Sequence, residues 1–246
     1  MLGHPYSIRR AAQQSLAADP RYAFHHTLRG FGWFVYWRRG RLTRGVRQLR
    51  SLSKVTLMFD SETLPTISAH RVRLRWLTDE DVGSLFSIFS DPEVMRYWSS
   101  LPLADMEGAS KLLIDIRDNF RRQKLFQWGI ARKTDDRIIG TCTLFHIDKD
   151  NRRAELGYAL GREHWGRGYM QEALTTLLSF CFVELNMHRI EADVDPNNVS
   201  SVRTLERLGF QREGRLRERW LVGGGVQDTL FYGLLRREWQ EGRGAV

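Results

Sequence analysis

The sequence predicts a mixed α/β (α+β) domain over residues 61–246, with about seven strands, mostly antiparallel, one central parallel pair and flanking helices. Three observations predict it. Residues 126–132, 138–147 and 154–160 are strand-like runs separated by Lys133-Thr134-Asp135-Asp136-Arg137 and Asp148-Lys149-Asp150-Asn151, the spacing of an antiparallel meander. After the third run, Gly166-Arg167-Gly168 leads into an apolar helical stretch, 173–183, and residues 188–194 alternate as a strand again. Strand, glycine turn, helix and strand in that order place two strands side by side and parallel. Finally, residues 199–210 read as a helix stopped by Gly209, and two last strand runs, 211–221 and 228–235, flank the flexible loop Gly223-Gly224-Gly225.

The earlier part of this domain follows the same rules. Residues 71–77 alternate charged and apolar side chains, as a half-buried strand does, and Thr78-Asp79-Glu80-Asp81 supplies a cap and an acidic first turn for a helix over 82–89. Asp91-Pro92-Glu93 opens a short helix ending near Arg96-Tyr97-Trp98. Over 105–122, Ala109, Leu112, Leu113, Ile116 and Phe120 recur at helical spacing. The predicted order is strand, helices, three strands, helix, strand, helix, two strands.

Charge divides the chain at about residue 60. Of its 38 basic and 29 acidic residues, 11 and 2 fall within 1–60, leaving 27 of each in 61–246 and the net charge of +9 in the first segment. That basic N-terminal extension has Phe31-Gly32-Trp33-Phe34-Val35-Tyr36-Trp37 as its longest apolar piece, too short to span a bilayer and flanked by arginines, which argues against a transmembrane helix and against a secretion signal. It reads as a poorly ordered tail, or as a surface for RNA, the ribosome or an anionic membrane. Cys142 and Cys181 both lie in apolar runs without C-x-x-C spacing, so buried free thiols and a cytoplasmic location are expected, with no metal site. His146, His164 and His188 likewise lack metal-ligand spacing and read as surface or packing residues.

The glycine turn is the chemical centre. Gly-x-Gly lets backbone approach a ligand closely, and the free N–H groups at the start of the following helix favour phosphate. Neither better-known phosphate loop fits, because the third position of a Gly-x-Gly-x-x-Gly is Gln171 and no Gly-Lys-Ser or Gly-Lys-Thr follows. A phosphate-bearing cofactor or a simple tight turn both remain open from these residues alone.

Three stretches in order carry a family resemblance. Arg162-Glu163-His164-Trp165-Gly166-Arg167-Gly168-Tyr169 with Glu172-Ala173, the helix from Asn198-Val199-Ser200-Ser201 to Glu206-Arg207-Leu208-Gly209-Phe210, and Val72-Arg73-Leu74-Arg75 to Met95-Arg96-Tyr97-Trp98 resemble the GNAT superfamily of N-acetyltransferases, in particular its RimJ/RimL-like branch, over about residues 68 to 240. The resemblance implies a twisted sheet of the GNAT fold and acetyl-CoA as co-substrate without a metal. It implies an amine acceptor: a protein N-terminal α-amine, for instance on a ribosomal protein, or alternatively a polyamine, an aminoglycoside or an amino acid. A non-catalytic acyl-CoA-binding module and an RNA-binding protein are the readings from other classes; oligomeric state, monomer or homodimer, is open. Two positions depart from the family pattern. Glu163 stands where Gln or Arg is usual, and Leu205 stands where many members carry a proton-donating tyrosine.

The resemblance also assigns roles. Gly166, Arg167, Gly168 and Tyr169, with Arg162, would cradle the pyrophosphate, and a backbone N–H near Leu156 or Tyr158 would polarise the thioester. Glu155 is expected to be the general base, against the alternative of a solvated strand face. Asn198 would touch the pantetheine arm or cap its helix, Ser201 (or Ser200) would face the departing sulfur, and Arg96, Tyr97 and Trp98 would line an acceptor pocket or belong to the core.

Overall fold

The computed structural model describes residues 61–244, so the expectations for residues 1–60 lie outside the described residues. Eight strands form one sheet. In chain order the elements are β1 (Ile67–Ser68), β2 (Val72–Arg75), a 3₁₀ turn (Asp79–Asp81), α1 (Val82–Phe89), α2 (Pro92–Met95), α3 (Met106–Arg121), β3 (Leu125–Arg132), β4 (Ile138–Asp148), β5 (Arg153–Leu160), a 3₁₀ turn (Arg162–His164), α4 (Tyr169–Ser179), a π-helical turn (Phe180–Glu184), β6 (Arg189–Val194), α5 (Val199–Arg207), β7 (Gln211–Val222), β8 (Gly225–Leu235) and α6 (Arg236–Gly244). The sheet order is β1-β2-β3-β4-β5-β6-β8-β7, and among these neighbours β5 and β6 alone run parallel.

The expected elements form, with four differences. The two-residue β1 and the polar α6 are additional. Helix α4 begins at Tyr169 rather than Ala173, because Gly168 at φ +77° turns the chain straight into it. The glycine run before β8 is a tight turn: Gly223 and Gly224 take φ of +57° and +85°, and Val222 pairs directly with Gly225.

Helix starts follow their capping residues. Asp91 Oδ1 accepts from the Glu93 N–H ahead of α2, with Pro92 in the first turn, and Asp105 Oδ1 accepts from Gly108 N–H at α3, each at 2.8 Å. One face of the sheet packs Val72, Leu74, Trp128 and Leu144 against Leu174, Leu177, Leu178 and Phe182 of α4 and its π-helical turn. The other packs Leu77, Ile138 and Ala159 against Leu85 and Ile88 of α1 and Leu113 and Ile116 of α3. Both cysteines are buried in the first cluster.

Where β2 leaves the sheet, Arg75 grips Asp81 with two 2.8 Å bonds, and Asp81 Oδ2 also accepts from the Thr78 N–H at 2.8 Å. Burial alone would raise the Asp81 carboxyl; Arg75 and Thr78 outweigh it and hold it below the usual range. Its contribution to stability is therefore present above the ordinary carboxylate range and lost as pH falls through the depressed folded value. Asp81→Ala removes both of its charged bonds to Arg75, which keeps Asp136 at 3.1 Å as its remaining carboxylate partner, and is expected to cost about 2 kcal/mol, read from urea midpoints at neutral pH, with the difference shrinking in acid.

Candidate active site

Strands β5 and β6 pair only at Arg153–Arg189, Ala154–Ile190 and Glu155–Glu191. Beyond that point β5 continues with β4 to Leu160, and β6 continues with β8 to Val194, so the two parallel strands part. Every second residue of β5 past Glu155 then turns its N–H and C=O into a gap instead of toward a strand. A cavity of about 190 Å³ lies at this parting, lined by Leu156, Gly157 and Tyr158 of β5, Asp193 and Val194 of β6, Asn198 and Ser201 of α5, Tyr97 and Trp98 after α2, and Trp220, Gln227 and Asp228 of the last hairpin.

At the β5–α4 end, Gly166 and Gly168 take φ of +71° and +77°, which side-chain-bearing residues rarely adopt. The first helical bond back to this turn is Glu172 N–H to Gly168 O, which leaves the N–H groups at the start of α4 without intrahelical acceptors. The turn is clamped from behind by Arg71, whose Nε meets Glu172 Oε2 at 2.7 Å, whose Nη1 donates to Arg167 O at 2.9 Å, and whose guanidinium stacks 4.7 Å over the Tyr169 ring. Trp165 fixes the entry by donating Nε1–H to Leu160 O at 2.7 Å. Rigid positive-φ glycines, free N–H groups and an adjoining open strand edge suit an extended ligand with a phosphate at one end. Arg162 sits on the preceding turn and lines a neighbouring cavity of about 520 Å³ with Arg137, Ser87 and the buried His164.

Across the gap from this turn, the Tyr158 hydroxyl lies 2.6 Å from Ser201 Oγ. Burial pushes the Tyr158 phenol up to about 12, with the Ser201 bond pulling the other way. Leu205, at the position of the usual tyrosine, is buried in the core. A phenol from β5 thus reaches the same helix from the opposite side. Asn198 is the helix cap: its Oδ1 accepts from Ser201 N–H at 3.1 Å and from Ser200 Oγ at 2.9 Å, and the residue also lines the cavity.

Glu155, the last residue of the parallel pairing, is buried and hydrogen-bonded through Oε2 to His146 Nδ1 at 2.8 Å. Period-two alternation puts Glu191 and Asp193 on the same face of β6. Glu191 is neutralised by Arg153 and Arg189 at 3.0 and 2.7 Å. Glu155 has no arginine partner, only His146, and Asp193 accepts from Trp220 Nε1–H at 3.0 Å and pairs loosely with Arg219 at 3.9 Å. Both carboxyls are held above their usual range, chiefly by burial, and Asp193 adds to the effect on Glu155.

Of the acceptor-side residues, Tyr97 and Trp98 line the cavity and Trp98 packs edge-on against Phe89, whereas Arg96 is exposed, 3.9 Å from Glu93 and outside the lining. Sequence reasoning passed over Arg71, Asp193 and Trp220 and set His146 aside as a surface or packing residue. Asp193 carried a signal, sharing the face of Glu191 in an alternating strand; Arg71 and Trp220 are charged or aromatic residues in strand runs with nothing to single them out. Among the described residues no group of His, Cys, Asp or Glu is placed to hold a metal, and no helix is long and apolar enough to cross a membrane.

The family model described as an acetyltransferase (GNAT) domain matches residues 71–211. The chain is 39% identical over 176 residues to the uncharacterized N-acetyltransferase p20 of Bacillus licheniformis, covering 72% of this chain and 99% of that protein. It is 30% identical over 184 residues to the [Ribosomal protein uS5]-alanine N-acetyltransferase of Escherichia coli (72% and 94% covered) and 27% identical over 160 residues to the spermidine N(1)-acetyltransferase of Vibrio cholerae (65% and 90%). The solved structure of Mycobacterium smegmatis RimJ in complex with CoA-disulfide shares the fold, with a TM-score of 0.63 at 24% identity over 71% of this chain and 88% of that one. With a parted parallel pair beside a glycine turn, and with relatives matched along nearly their whole length, the chain belongs to the GNAT acetyltransferases and is an N-acetyltransferase that uses acetyl-CoA as co-substrate.

Proposed function

We propose that the acceptor is a single α-amine at a polypeptide N-terminus, with a ribosomal protein as the candidate and the basic residues 1–60 as a contact for ribosomal protein or RNA. The observation that carries this reading is that the cavity has one anionic focus. Asp228 is bound by Arg215 at 2.6 Å, and Asp195 turns Oδ1 to its own loop, accepting from Asn197 N–H at 2.7 Å. Asp193, paired only loosely with Arg219 at 3.9 Å, is the lining carboxylate most open to a cation in the cavity. That arrangement suits one ammonium better than a polyamine, whose successive charges need successive carboxylates.

Acetyl-CoA supplies the activated acyl group. The backbone N–H groups from Gly166 to Tyr169 hold its pyrophosphate at the positive helix end, with Arg162 and Arg167 contributing charge. Backbone N–H groups of β5 at Leu156 or Tyr158, freed where β6 parts, face the acyl carbonyl. Glu155 takes the proton of the acceptor ammonium. The Ser201–Tyr158 pair returns a proton to the departing sulfur, a role the family gives elsewhere to the tyrosine replaced here by Leu205. Tyr97 and Trp98 wall the acceptor, and Asn198 holds the start of α5 against the cofactor arm.

The test is turnover of acetyl-CoA with a panel of an Ala-initiated peptide, the same peptide with a blocked α-amine, spermidine and an aminoglycoside, followed by mass spectrometry. Acetylation confined to the free-α-amine peptide is expected. Spermidine consumed with a kcat/KM equal to or above that of the peptide would contradict it.

A further inference from the structure

We propose that His146 relays the proton taken up by Glu155 out to solvent, an assignment that rests on Glu155 being the base. Acetyl transfer to an ammonium removes two protons from nitrogen. As the N–C bond forms and the C–S bond breaks, one proton ends on sulfur and one must reach bulk water in every turnover. A base with a side chain 8% exposed has no direct route for it; His146, bonded to Oε2 at 2.8 Å, has a side chain 69% exposed.

This contact is constructed by the backbone. Phe145 is the register partner of Glu155 across β4 and β5, so their side chains share a face, and alternation would send residue 146 to the opposite one. The pairing instead slips between Phe145 and Asp148, and His146 takes φ +48°, a left-handed conformation uncommon for a residue with a side chain. The bulge thereby returns the imidazole to the face of Glu155. His146 is one of six non-glycine residues with positive φ among the described residues, and here that conformation serves to bring the ring to a buried carboxylate. The other charged groups that act on Glu155 are Asp193 from β6 and Arg219 from β7; Glu191, opposite it, is bound by Arg153 and Arg189. Neither Asp193 nor Arg219 hydrogen-bonds Glu155, while His146 does.

The step balances without a further reactant. The acceptor ammonium gives a proton to the Glu155 carboxylate, the resulting carboxyl passes it to Nδ1 of the imidazole in its Nε2–H tautomer, the imidazolium releases the Nε2 proton to water, and the exposed ring regains the Nε2–H tautomer by proton exchange with solvent before the next turnover. Glu155 is again a carboxylate for the next acceptor.

The experiment compares wild type with His146→Ala, His146→Gln and Glu155→Gln, using an acceptor found in the panel above, at low buffer and with added imidazole. Both His146 variants are expected to lose about tenfold in kcat at low buffer, with KM for acetyl-CoA unchanged and the melting temperature retained. Added imidazole should restore His146→Ala in proportion to its concentration. Glutamine keeps a hydrogen-bonding group but cannot titrate, so wild-type turnover by His146→Gln would reduce His146 to a structural contact and overturn the relay. Full kcat in His146→Ala at low buffer would do the same. Undiminished turnover by Glu155→Gln is the separate result that removes the base assignment itself.

Discussion

Replacement of Glu155 by glutamine is expected to lower kcat by about 10²–10⁴-fold, the range of a lost general base, while acetyl-CoA still binds with wild-type affinity. Burial, and secondarily Asp193, hold the Glu155 carboxyl above its usual range, against the opposing hydrogen bond from His146. The wild-type rate should therefore climb with pH through a value above the ordinary glutamate pKa of about 4.3, and that limb should vanish in the variant. Stability runs the other way. A carboxyl whose folded pKa is raised stabilises the fold only below its unfolded pKa, and that contribution is lost as pH rises through the folded value. At neutral pH Glu155→Gln should accordingly melt no lower than wild type, so a collapse in kcat cannot be assigned to unfolding. Unaltered kcat would send the search for a base to Asp193.

The second large effect is expected at Gly168. Its φ of +77° already disfavours any side chain, and an added Cβ would lie 3.3 Å from Arg71 Nη2, the guanidinium that clamps the turn. Gly168→Val should weaken acetyl-CoA binding by about 10–100-fold, or 1.4–2.8 kcal/mol, because relief of the strain moves the N–H groups that hold the pyrophosphate. Gly166→Ala is the informative comparison: at φ +71° it bears similar strain, but the added methyl meets nothing within 4 Å. Calorimetric titration should rank wild type, Gly166→Ala and Gly168→Val in order of falling affinity.

Much of this architecture was legible because its signals are local. Alternation over residues 188–194 and 71–77, the capping aspartates and the glycine turn each act within a few residues, and each element appears where they place it. The helix from Asn198 was readable for the same reason, down to Gly209 at φ +89° beyond its end. What was not legible depends on separations in space. The parting of β5 from β6 is a property of two strands 36 residues apart in register, and neither strand alone encodes it. Tyr158 meets Ser201 across 43 residues, so a phenol read as a strand residue became the partner of the helix serine. His146 was set aside as a surface or packing histidine. It is indeed exposed, but a β-bulge at a non-glycine residue has no compositional mark, and that bulge is what carries the ring to Glu155. Helix α6 is too polar to announce itself by periodicity; it begins where Leu235 N–H is capped by Glu238 Oε2 at 2.9 Å.

The most direct measurement is a crystal structure of the protein with CoA bound. Pyrophosphate oxygens on the N–H groups of Gly166 to Tyr169, pantetheine along the open edge of β5, and sulfur within hydrogen-bonding reach of Ser201 or Tyr158 are the predicted result. CoA lodged elsewhere, or sulfur turned away from that pair with Glu155 remote from the acyl position, would contradict the site.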